Sequence, residues 1–325
     1  MTKNQKLETI VPQWLENSKM RVKESTYVKY VNLTSNHILP LLGDIEADRL
    51  TTDTIEQFIQ SRLNAGNNKQ GKGLAEKTVK DLLIVLKDIC RYAALCDVDI
   101  PCRFELIRVR GNDSEIQVLD KQTQLRLERF LMRDVYNLRK TGILLSLCMG
   151  LRLGEICALR KGQIQYKEGI LQVRSTMQRI QNFNAEVDWK GRENRKTRVI
   201  ITSPKSACSV RDIPMPQFMM ERLERLKTSD DDVFVLTGTS KKFIEPRTYE
   251  NVFKRYLMEC NMDIVNFHAL RHTFATRCIE RGFDVKTLSE ILGHANVNIT
   301  LNRYVHSSME QKRKWMSEMT LGVMY

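Results

Sequence analysis

The sequence predicts a mainly α-helical protein of two domains, with a small β-sheet in the second. Its 325 residues exceed the usual size of a single core. Apolar residues recur at helical spacing through the first hundred positions, whereas short strand-like segments interrupt the helical pattern after residue 160. We therefore expect a helical domain at 1–100, a linker at 101–117 and a mixed α+β domain at 118–325.

Four helical stretches are expected in the first domain, and the last two place apolar residues on one face. These stretches are 6–18, 25–39, 55–63 and 79–93. The second helix is expected to end at Pro40 and Gly43. The loop at 66–73 nearly matches the phosphate-binding motif GxxxxGK[ST]. However, Gly73 replaces the hydroxyl residue and a helix precedes the loop, so the sequence does not indicate a nucleotide site.

The linker is predicted from a poorly periodic stretch that contains a proline, a glycine and three arginines. Asp120 then caps the first helix of the second domain. Strand-like segments follow in this domain at 163–166, 170–174 and 198–202. Helices return from Pro216 onward, which predicts the mixed composition of this domain.

The charge balance favours an acidic partner. The chain carries 52 Lys and Arg against 39 Asp and Glu, a net charge of +13. Nucleic acid is the commonest partner of such proteins. Residues 1–110 contribute +3 and the remainder +10, and the densest cationic stretch is 190–198. That stretch is either a solvated loop or a loop that follows DNA phosphates; for the second case we expect contacts from Lys190, Arg192, Arg195 and Lys196.

Cysteine usage and the N-terminus indicate where the protein works. The eight cysteines include no Cys-x-x-Cys pair. They are expected to be reduced and partly buried, and to form neither disulfides nor zinc sites. The N-terminus lacks the apolar segment of a signal peptide, and no run reaches the roughly 18 apolar residues of a membrane span. We expect a cytoplasmic protein without membrane contact.

Residues that can carry chemistry concentrate in the last fifth of the chain, which holds four of the five histidines. His268 and Arg271 would share a helix face, which suits either an anionic reaction centre or an ordinary surface helix. Five short blocks include these two residues. In chain order they are MGLRLGEICAL at 149–159, PKSACSVRDIP at 204–214, HALRHTFAT at 268–276, LGHAN at 292–296 and TLNRYVH at 300–306.

These blocks, in this order, resemble the signature of the tyrosine recombinases of the phage-integrase family, with Met149 where threonine is usual. The first hundred residues resemble the core-binding domain of that family more weakly. The resemblance implies a four-helix core-binding domain, then a mixed α+β catalytic domain that ends in a C-terminal interaction helix. It also implies a site-specific DNA recombinase that cleaves and rejoins DNA through a 3′-phosphotyrosyl intermediate, for integration or excision of a mobile element.

The resemblance also assigns roles to individual residues. Tyr304 is expected to be the nucleophile. Arg152 and Arg271 are expected to hold the non-bridging phosphate oxygens. Lys205, on a hairpin, is expected to protonate the leaving 5′-oxygen.

Four further residues are assigned more indirectly. His268 is expected to assist proton transfer around the tyrosine, and His294 to donate a hydrogen bond to the phosphate. Glu155, one helical turn from the first arginine, is expected to orient the site. His272 is interpreted as structural. Although His268 and His272 have the i, i+4 spacing of zinc-binding helices, Ala269 replaces the glutamate of that motif, so neither a metal nor a cofactor is expected.

The expected partner is double-stranded DNA, on which four copies would assemble through the C-terminal segment 309–325. The free protein is expected to be a monomer or a weak oligomer, and accessory DNA-bending proteins are a further class of expected partner. Two alternatives stay open. One is a DNA-binding accessory protein that keeps the fold without activity, and the other is a type IB topoisomerase-like strand-passing enzyme.

Overall fold

The chain forms two compact units, Met1–Ser114 and Glu115–Tyr325. The computed structural model describes residues 5–65, 72–109, 116–182, 196–204, 206–226 and 229–305, together with residues 313, 316 and 317. Within these residues, no helix is both long enough and apolar enough to cross a membrane.

The first unit is helical, with the four helices that the apolar spacing predicts and one short extension. Its helices are α1 (Leu7–Arg21), α2 (Glu24–Leu33), α3 (Leu39–Leu42), α4 (Thr52–Ala65) and α5 (Glu76–Leu95). A π-helical turn at Thr34–Ile38 joins α2 to α3. Pro40 lies in the first turn of α3, directly after the π-helical turn, and the helical path continues through it. Gly43, and not Pro40, therefore marks the end of this helical path.

The core of the first unit lies between α1 and α5, whose buried residues recur at three- and four-residue spacing. Trp14 is fully buried, and its indole Nε1 donates to the Asp88 carboxylate at 2.9 Å. A buried indole needs such an acceptor, so this bond fixes the two helices against each other.

The first part of the predicted linker packs on the first unit. Ile107 is buried in its core, and the backbone N–H of Arg103 donates to Thr52 Oγ1 at 2.9 Å. Residues 110–115, which follow, lie outside the described residues.

The second unit is built around a buried helix. Its helices are α6 (Lys121–Met132), α7 (Leu138–Met149), α8 (Leu153–Ala158), α9 (Gln217–Glu224), α10 (Pro246–Glu259), α11 (His268–Glu280), α12 (Val285–Leu292) and α13 (Val297–Tyr304). Helix α7 is buried on nearly every face and packs against α6, α8, α9, α10 and α11. Its continuous apolar sequence suits that central position.

Two small antiparallel sheets complete the second unit, which confirms the predicted mixed composition. The strands are β1 (Ile164–Gln165), β2 (Ile170–Val173), β3 (Thr176–Gln181), β4 (Thr197–Thr202) and β5 (Arg211–Pro214). One sheet has the order β1-β2-β5, with Val173 opposite Arg211, and the other pairs β3 with β4. The sequence analysis identified β1, β2 and β4 but did not identify β3 or β5 as strands.

Candidate active site

Four segment ends of the second unit meet at one place. They are the start of α8 at Arg152, the start of α11 at His268, the end of α12 at Leu292 and the end of α13 at Tyr304. Two sharp turns make the meeting possible. Gly150 and Gly293 end α7 and α12 in the left-handed conformation, with φ of 71° and 65°. Glycine adopts this conformation without the strain that other residues incur.

The predicted arginine pair lies at this place, held by backbone carbonyls. The Arg271 guanidinium is buried, and it donates to the carbonyls of Gly150 and Leu292, both at 2.6 Å. Arg152 is half-buried and donates from Nη2 to the Gly293 carbonyl at 3.1 Å. Burial, and then the charge of Arg152, lower the pKa of Arg271 to about 9. The two cations therefore lie close enough to repel, an arrangement that an anion between them would relieve.

Glu155 is buried beside this pair and joins two arginines. Its carboxylate accepts from Arg152 Nη1 at 2.7 Å and from the Arg152 backbone N–H at 2.9 Å. On its other side it accepts two bonds from Arg211, at 3.1 and 2.9 Å. Burial alone would raise the pKa of Glu155, but the bonds and charge of Arg211, with the charge of Arg152, lower it.

Tyr304 is the last residue of α13 and is only 6% exposed. Its ring packs in an apolar cluster with Ala275, Cys278, Leu288 and Leu292. Its hydroxyl lies 2.7 Å from His272 Nδ1. Burial raises the pKa of Tyr304, although the positive charges of Arg271 and Arg303 act in the opposite direction. The phenol is therefore protonated at neutral pH, and its oxygen lies within hydrogen-bond distance of a histidine nitrogen.

Three histidines surround the phenol. His268 meets His272 edge to face, with ring centroids 4.5 Å apart, and the His294 ring is parallel to the Tyr304 ring at 6.5 Å. His294 Nδ1 lies 2.8 Å from Thr300 Oγ1. Burial is the first cause that lowers their pKa values, to about 4 for His268 and His272 and about 3 for His294.

Nearby charges add to the effect of burial on these pKa values. Arg271 lowers all three, and it is joined by Arg152 and Arg303 at His268 and His294, and by Arg303 at His272. His268 is exposed to solvent, and its neighbouring cations lower its pKa in addition to burial. Three neutral imidazoles and two arginines thus share one positive pocket, which is a suitable environment for a phosphodiester.

Several predicted residues cannot be placed. Lys205, Lys190, Arg192 and Arg195 lie outside the described residues. Lys196 is described just before β4, where its carbonyl accepts from the backbone N–H of Asn182 at 2.9 Å. The cationic stretch therefore connects β3 to β4.

The sequence analysis missed two residues of this site. His272 was interpreted as structural, yet its ring contacts the Tyr304 phenol directly. His268 contacts the His272 ring from behind. Arg211 was given no role, yet it binds Glu155. The alternation of strand β5, with Arg211 and Ile213 buried and Asp212 and Pro214 exposed, is the signal that would have placed Arg211 inward.

Metal ligands are not grouped in the residues that the structure describes: no cluster of three or more His, Cys, Asp or Glu side chains could hold an ion there. The site is instead assembled from guanidinium, imidazole, carboxylate and phenol groups at helix ends.

The part of the chain that contains this site matches a known protein family. The family model described as "Phage integrase family" matches residues 117–311, which contain every residue of the site. The chain belongs to the phage integrase family. A second model, "Phage integrase, N-terminal SAM-like domain", matches residues 6–63 of this recombinase.

Similar proteins are named tyrosine recombinases. The recombinase is 29% identical to "Tyrosine recombinase XerC-like" of Caldanaerobacter subterraneus subsp. tengcongensis, over 94% of this chain and 80% of that one. It is 31% identical to "Tyrosine recombinase XerA" of Pyrococcus horikoshii, over 50% of this chain and 49% of that one. The chain thus matches only about half the length of such archaeal relatives. These matches confirm an enzyme of the tyrosine recombinase class.

Solved structures share the fold of the recombinase. The Tn1549 transposon integrase in complex with transposon right end DNA has a TM-score of 0.75 at 22% identity, over 97% of this chain and 99% of that one. A lambda integrase dimer bound to a core site has a TM-score of 0.63 at 16% identity, over 94% and 97% of the two chains. Both chains are matched over almost their whole length, which confirms the predicted two-part fold.

Proposed function

We propose that this recombinase cleaves and rejoins double-stranded DNA at specific sites through a 3′-phosphotyrosyl intermediate on Tyr304. The observation that carries the proposal is the position of the Tyr304 phenol, which is hydrogen-bonded to a neutral imidazole and lies in the field of Arg152 and Arg271. A hydroxyl beside a base, with cations that can stabilise charge on phosphate oxygens, is the arrangement that nucleophilic phosphoryl transfer needs.

The proposed reaction exchanges one phosphorus–oxygen bond for another. The Tyr304 oxygen forms a bond to phosphorus as the bond from phosphorus to the 5′-oxygen breaks. The phenol proton passes to a histidine, and the leaving 5′-oxygen receives a proton from Lys205. Rejoining is the reverse step with a different 5′-hydroxyl. Since one phosphate diester replaces another, the exchange is close to isoenergetic and needs no nucleotide hydrolysis.

The histidine that receives the phenol proton is proposed from the contacts. His272 is the imidazole in direct contact with the hydroxyl, and it is neutral at pH 7, so its free nitrogen can accept. His268 lies behind it and can pass the proton on or hold the ring in place. His294 is proposed to donate to a phosphate oxygen, and Glu155 to orient Arg152.

Partners and biological role are proposed from charge and from the similar structures. A net charge of +10 on residues 111–325 suits a polyanion. Lys190, Arg192, Arg195 and Lys196 are proposed to contact DNA phosphates. The transposon integrase and lambda integrase structures contain DNA, and one lambda structure is a tetramer on a Holliday junction. We propose a tetramer on DNA that integrates or excises a mobile element in the cytoplasm, with accessory DNA-bending proteins and with the C-terminal segment 309–325 as a contact between subunits.

The decisive experiment traps the intermediate. Fragmented DNA of the source genome is incubated with the protein, which is then denatured, and covalently attached fragments are sequenced to give the target site. The wild-type chain is expected to retain one class of fragment. Tyr304→Phe should retain none while binding the recovered duplex with an unchanged dissociation constant, because only the nucleophilic oxygen is lost. Covalent attachment by Tyr304→Phe would show that another residue is the nucleophile.

A non-enzymatic DNA-binding protein and a topoisomerase-like enzyme would give different results. The first would attach no fragment at all, even as the wild-type chain. The second would attach fragments without a shared site and would relax supercoiled DNA that lacks one. Recovery of a single site class therefore supports site-specific recombination over both alternatives.

A further inference from the structure

We infer that Arg211 is a positioning residue of the recombinase: it clamps Glu155 and the end of helix α12 together, and so holds the phosphate-binding arginines and the described segment 206–209, which follows Lys205, in one arrangement. This inference rests on the proposed function, because it concerns how that site is kept in shape. It assigns a task to a residue that would not itself touch the DNA.

The hydrogen bonds of Arg211 use all three nitrogens of its guanidinium group. It is buried in strand β5 and donates from Nε to the Ile291 carbonyl at 2.6 Å and from Nη1 to the Ser209 carbonyl at 3.1 Å. Nη1 and Nη2 also donate to the two carboxylate oxygens of Glu155. A planar fork of this kind fixes direction as well as charge, which a lysine cannot do.

Helix α12 ends in three successive carbonyls that each bind a different arginine. Ile291 accepts from Arg211, Leu292 from Arg271 at 2.6 Å and Gly293 from Arg152 at 3.1 Å. The last carbonyls of a helix lack partners within it and carry the negative end of its dipole. One helix end thus gathers guanidinium groups from β5, α11 and the start of α8.

Among these three arginines, Arg211 is the one that the proposed reaction does not use. Its Nε bond fixes the first of the three carbonyls, and the two catalytic arginines depend on the next two. A change at Arg211 is therefore expected to reach Arg152 by two routes, through the α12 turn and through Glu155.

The electrostatic route depends on the ionisation of Glu155. The charged groups that face its carboxylate are Arg152 at the start of its own helix, Arg211 from β5 and Arg271 from α11. Burial favours the protonated acid, and Arg211 is the largest opposing influence on the pKa of Glu155. Without Arg211, the carboxyl would take up a proton at higher pH and would lose one of its bonds to Arg152.

The same residue anchors the segment that follows Lys205. Arg211 lies six positions after this lysine and binds the Ser209 carbonyl, while Ser209 Oγ donates to the Gly293 carbonyl at 3.4 Å. A Cβ atom at Gly293 would lie 3.0 Å from both Arg211 Cδ and the Cys208 carbonyl. Residues 208–211 thus pack closely against the turn at the end of α12.

The test compares Arg211→Met, Arg211→Lys and a matched control, Arg222→Met. Arg222 is also a buried arginine, but it donates to Thr141 Oγ1 and to the carbonyls of Leu131 and Asp134, and it makes no contact with the site. It therefore reports the general cost of losing a buried guanidinium. Arg211→Lys keeps the charge and loses the fork, which provides a second variant if the methionine variant fails to fold.

Two measurements are made on the full chain. The first follows the Glu155 side-chain carbon by NMR through a pH titration of the free protein, assigned with Glu155→Gln. The second measures covalent cleavage between pH 5 and pH 8, on the duplex recovered by genomic trapping. Arg211→Met should titrate Glu155 at higher pH than wild type does, and between pH 8 and pH 5 its cleavage rate should fall about tenfold more than the wild-type rate. Arg211→Lys should fall between this variant and wild type.

The extra loss of cleavage rate at low pH should require the carboxyl group of Glu155. In the double variant Arg211→Met/Glu155→Gln the extra loss at low pH should disappear, since no carboxyl remains to be protonated. Arg222→Met should melt at lower temperature while it keeps the wild-type titration and pH profile.

A wild-type Glu155 titration in Arg211→Met would overturn the inference, and so would a shifted titration with a wild-type cleavage profile. An acid loss of equal size in Arg222→Met would also overturn it. Because the titration needs no DNA, the two proposals can fail separately. If wild-type protein forms no covalent adduct, the proposed function fails, whereas a shifted titration still supports the clamp on Glu155.

Discussion

At the residue scale, the ionisation state of each group in the site depends on the charges of its neighbours. Burial, together with the charge of Arg271 and its neighbouring arginines, keeps three nearby imidazoles neutral, and neutral imidazole can accept a proton from the phenol. The sequence blocks singled out Arg152, Arg271, His268 and His294 but not His272 as candidate site residues. They could not identify which imidazole touches Tyr304, because His268 and His272 lie one turn apart on α11 and local spacing does not separate them.

The contact with the phenol predicts different losses for the two histidines. His272→Gln keeps a hydrogen-bonding side chain but removes the base, so we expect cleavage to slow by about 100-fold at pH 7, in the usual range for general base catalysis. His268→Gln should slow it less, because that ring acts through its neighbour. Single-turnover cleavage of the trapped duplex measures both. A larger loss in His268→Gln would assign the base to that residue instead.

The depressed pKa values of these histidines also predict acid sensitivity of the fold. The unfolded chain has histidine pKa values of about 6.5, above the folded values, so it binds more protons as the pH falls. Stability should therefore be fully present above about pH 6.5 and should decline from there toward about pH 4. Chemical denaturation at several pH values measures this decline.

His294→Gln provides the internal control for that measurement. The pKa of His294 is lowered to about 3, so its replacement removes one group that takes up a proton only on unfolding. The slope of the unfolding free energy against pH should then become shallower by at most about 1.4 kcal/mol per pH unit. An unchanged slope between pH 4 and 6.5 would contradict the neutral state assigned to His294.

At the element scale, helices were easier to predict than strands. Helices α4 and α5 show their apolar faces over three or more turns, so their periodicity is clear. Length does not explain which strands were missed, because β4 and β2 have the same six and four residues as β3 and β5. Strand β5 instead contains a buried arginine where an apolar residue would be expected. That arginine points inward because it binds Glu155 of α8. The two residues are 56 positions apart in the sequence, so no local pattern reveals the contact.

The segment between β4 and β5 leads to a prediction about Lys205. If this lysine protonates the leaving oxygen, Lys205→Ala should cleave ordinary DNA about 100-fold more slowly than wild type, or slower still, because that is the usual contribution of a general acid. A duplex with sulfur at the 5′-bridging position should restore the rate, because a thiolate leaves without a proton. Lys190→Ala and Lys196→Ala serve as controls. Rescue in either of these variants, and not in Lys205→Ala, would move the general acid to the β3–β4 connection.

At the scale of the whole molecule, charge is divided unequally between the two parts of the chain. The excess of +10 after residue 110 implies that the catalytic unit contributes most of the phosphate contacts. Affinity should fall steeply with salt between about 50 and 200 mM, since each neutralised phosphate releases counterions. A flat dependence would contradict binding along the DNA backbone.

A combined variant tests where those contacts lie. Replacing Lys190, Arg192, Arg195 and Lys196 by Gln should reduce the slope of log affinity against log salt by up to about 3.6, at about 0.9 per phosphate contact. The matched control replaces four cations that already have carboxylate partners, Arg160, Lys161, Lys254 and Arg255. The control should change the slope less, because its charges are locally neutralised. Equal reductions would refute the assignment of the 190–196 stretch.

The position of Tyr304 as the final residue of α13 has a consequence for the timing of the reaction. The last turn of a helix opens and closes within nanoseconds to microseconds. Tyr304 is only 6% exposed, so we expect that turn to open enough to admit a phosphate to the phenol while the contact with His272 is kept. If Tyr304 is the proposed nucleophile, its exposure would then be a rapid equilibrium that precedes a slower chemical step. The free protein would spend most of its time with the phenol covered, so contact with non-target DNA would rarely break a strand.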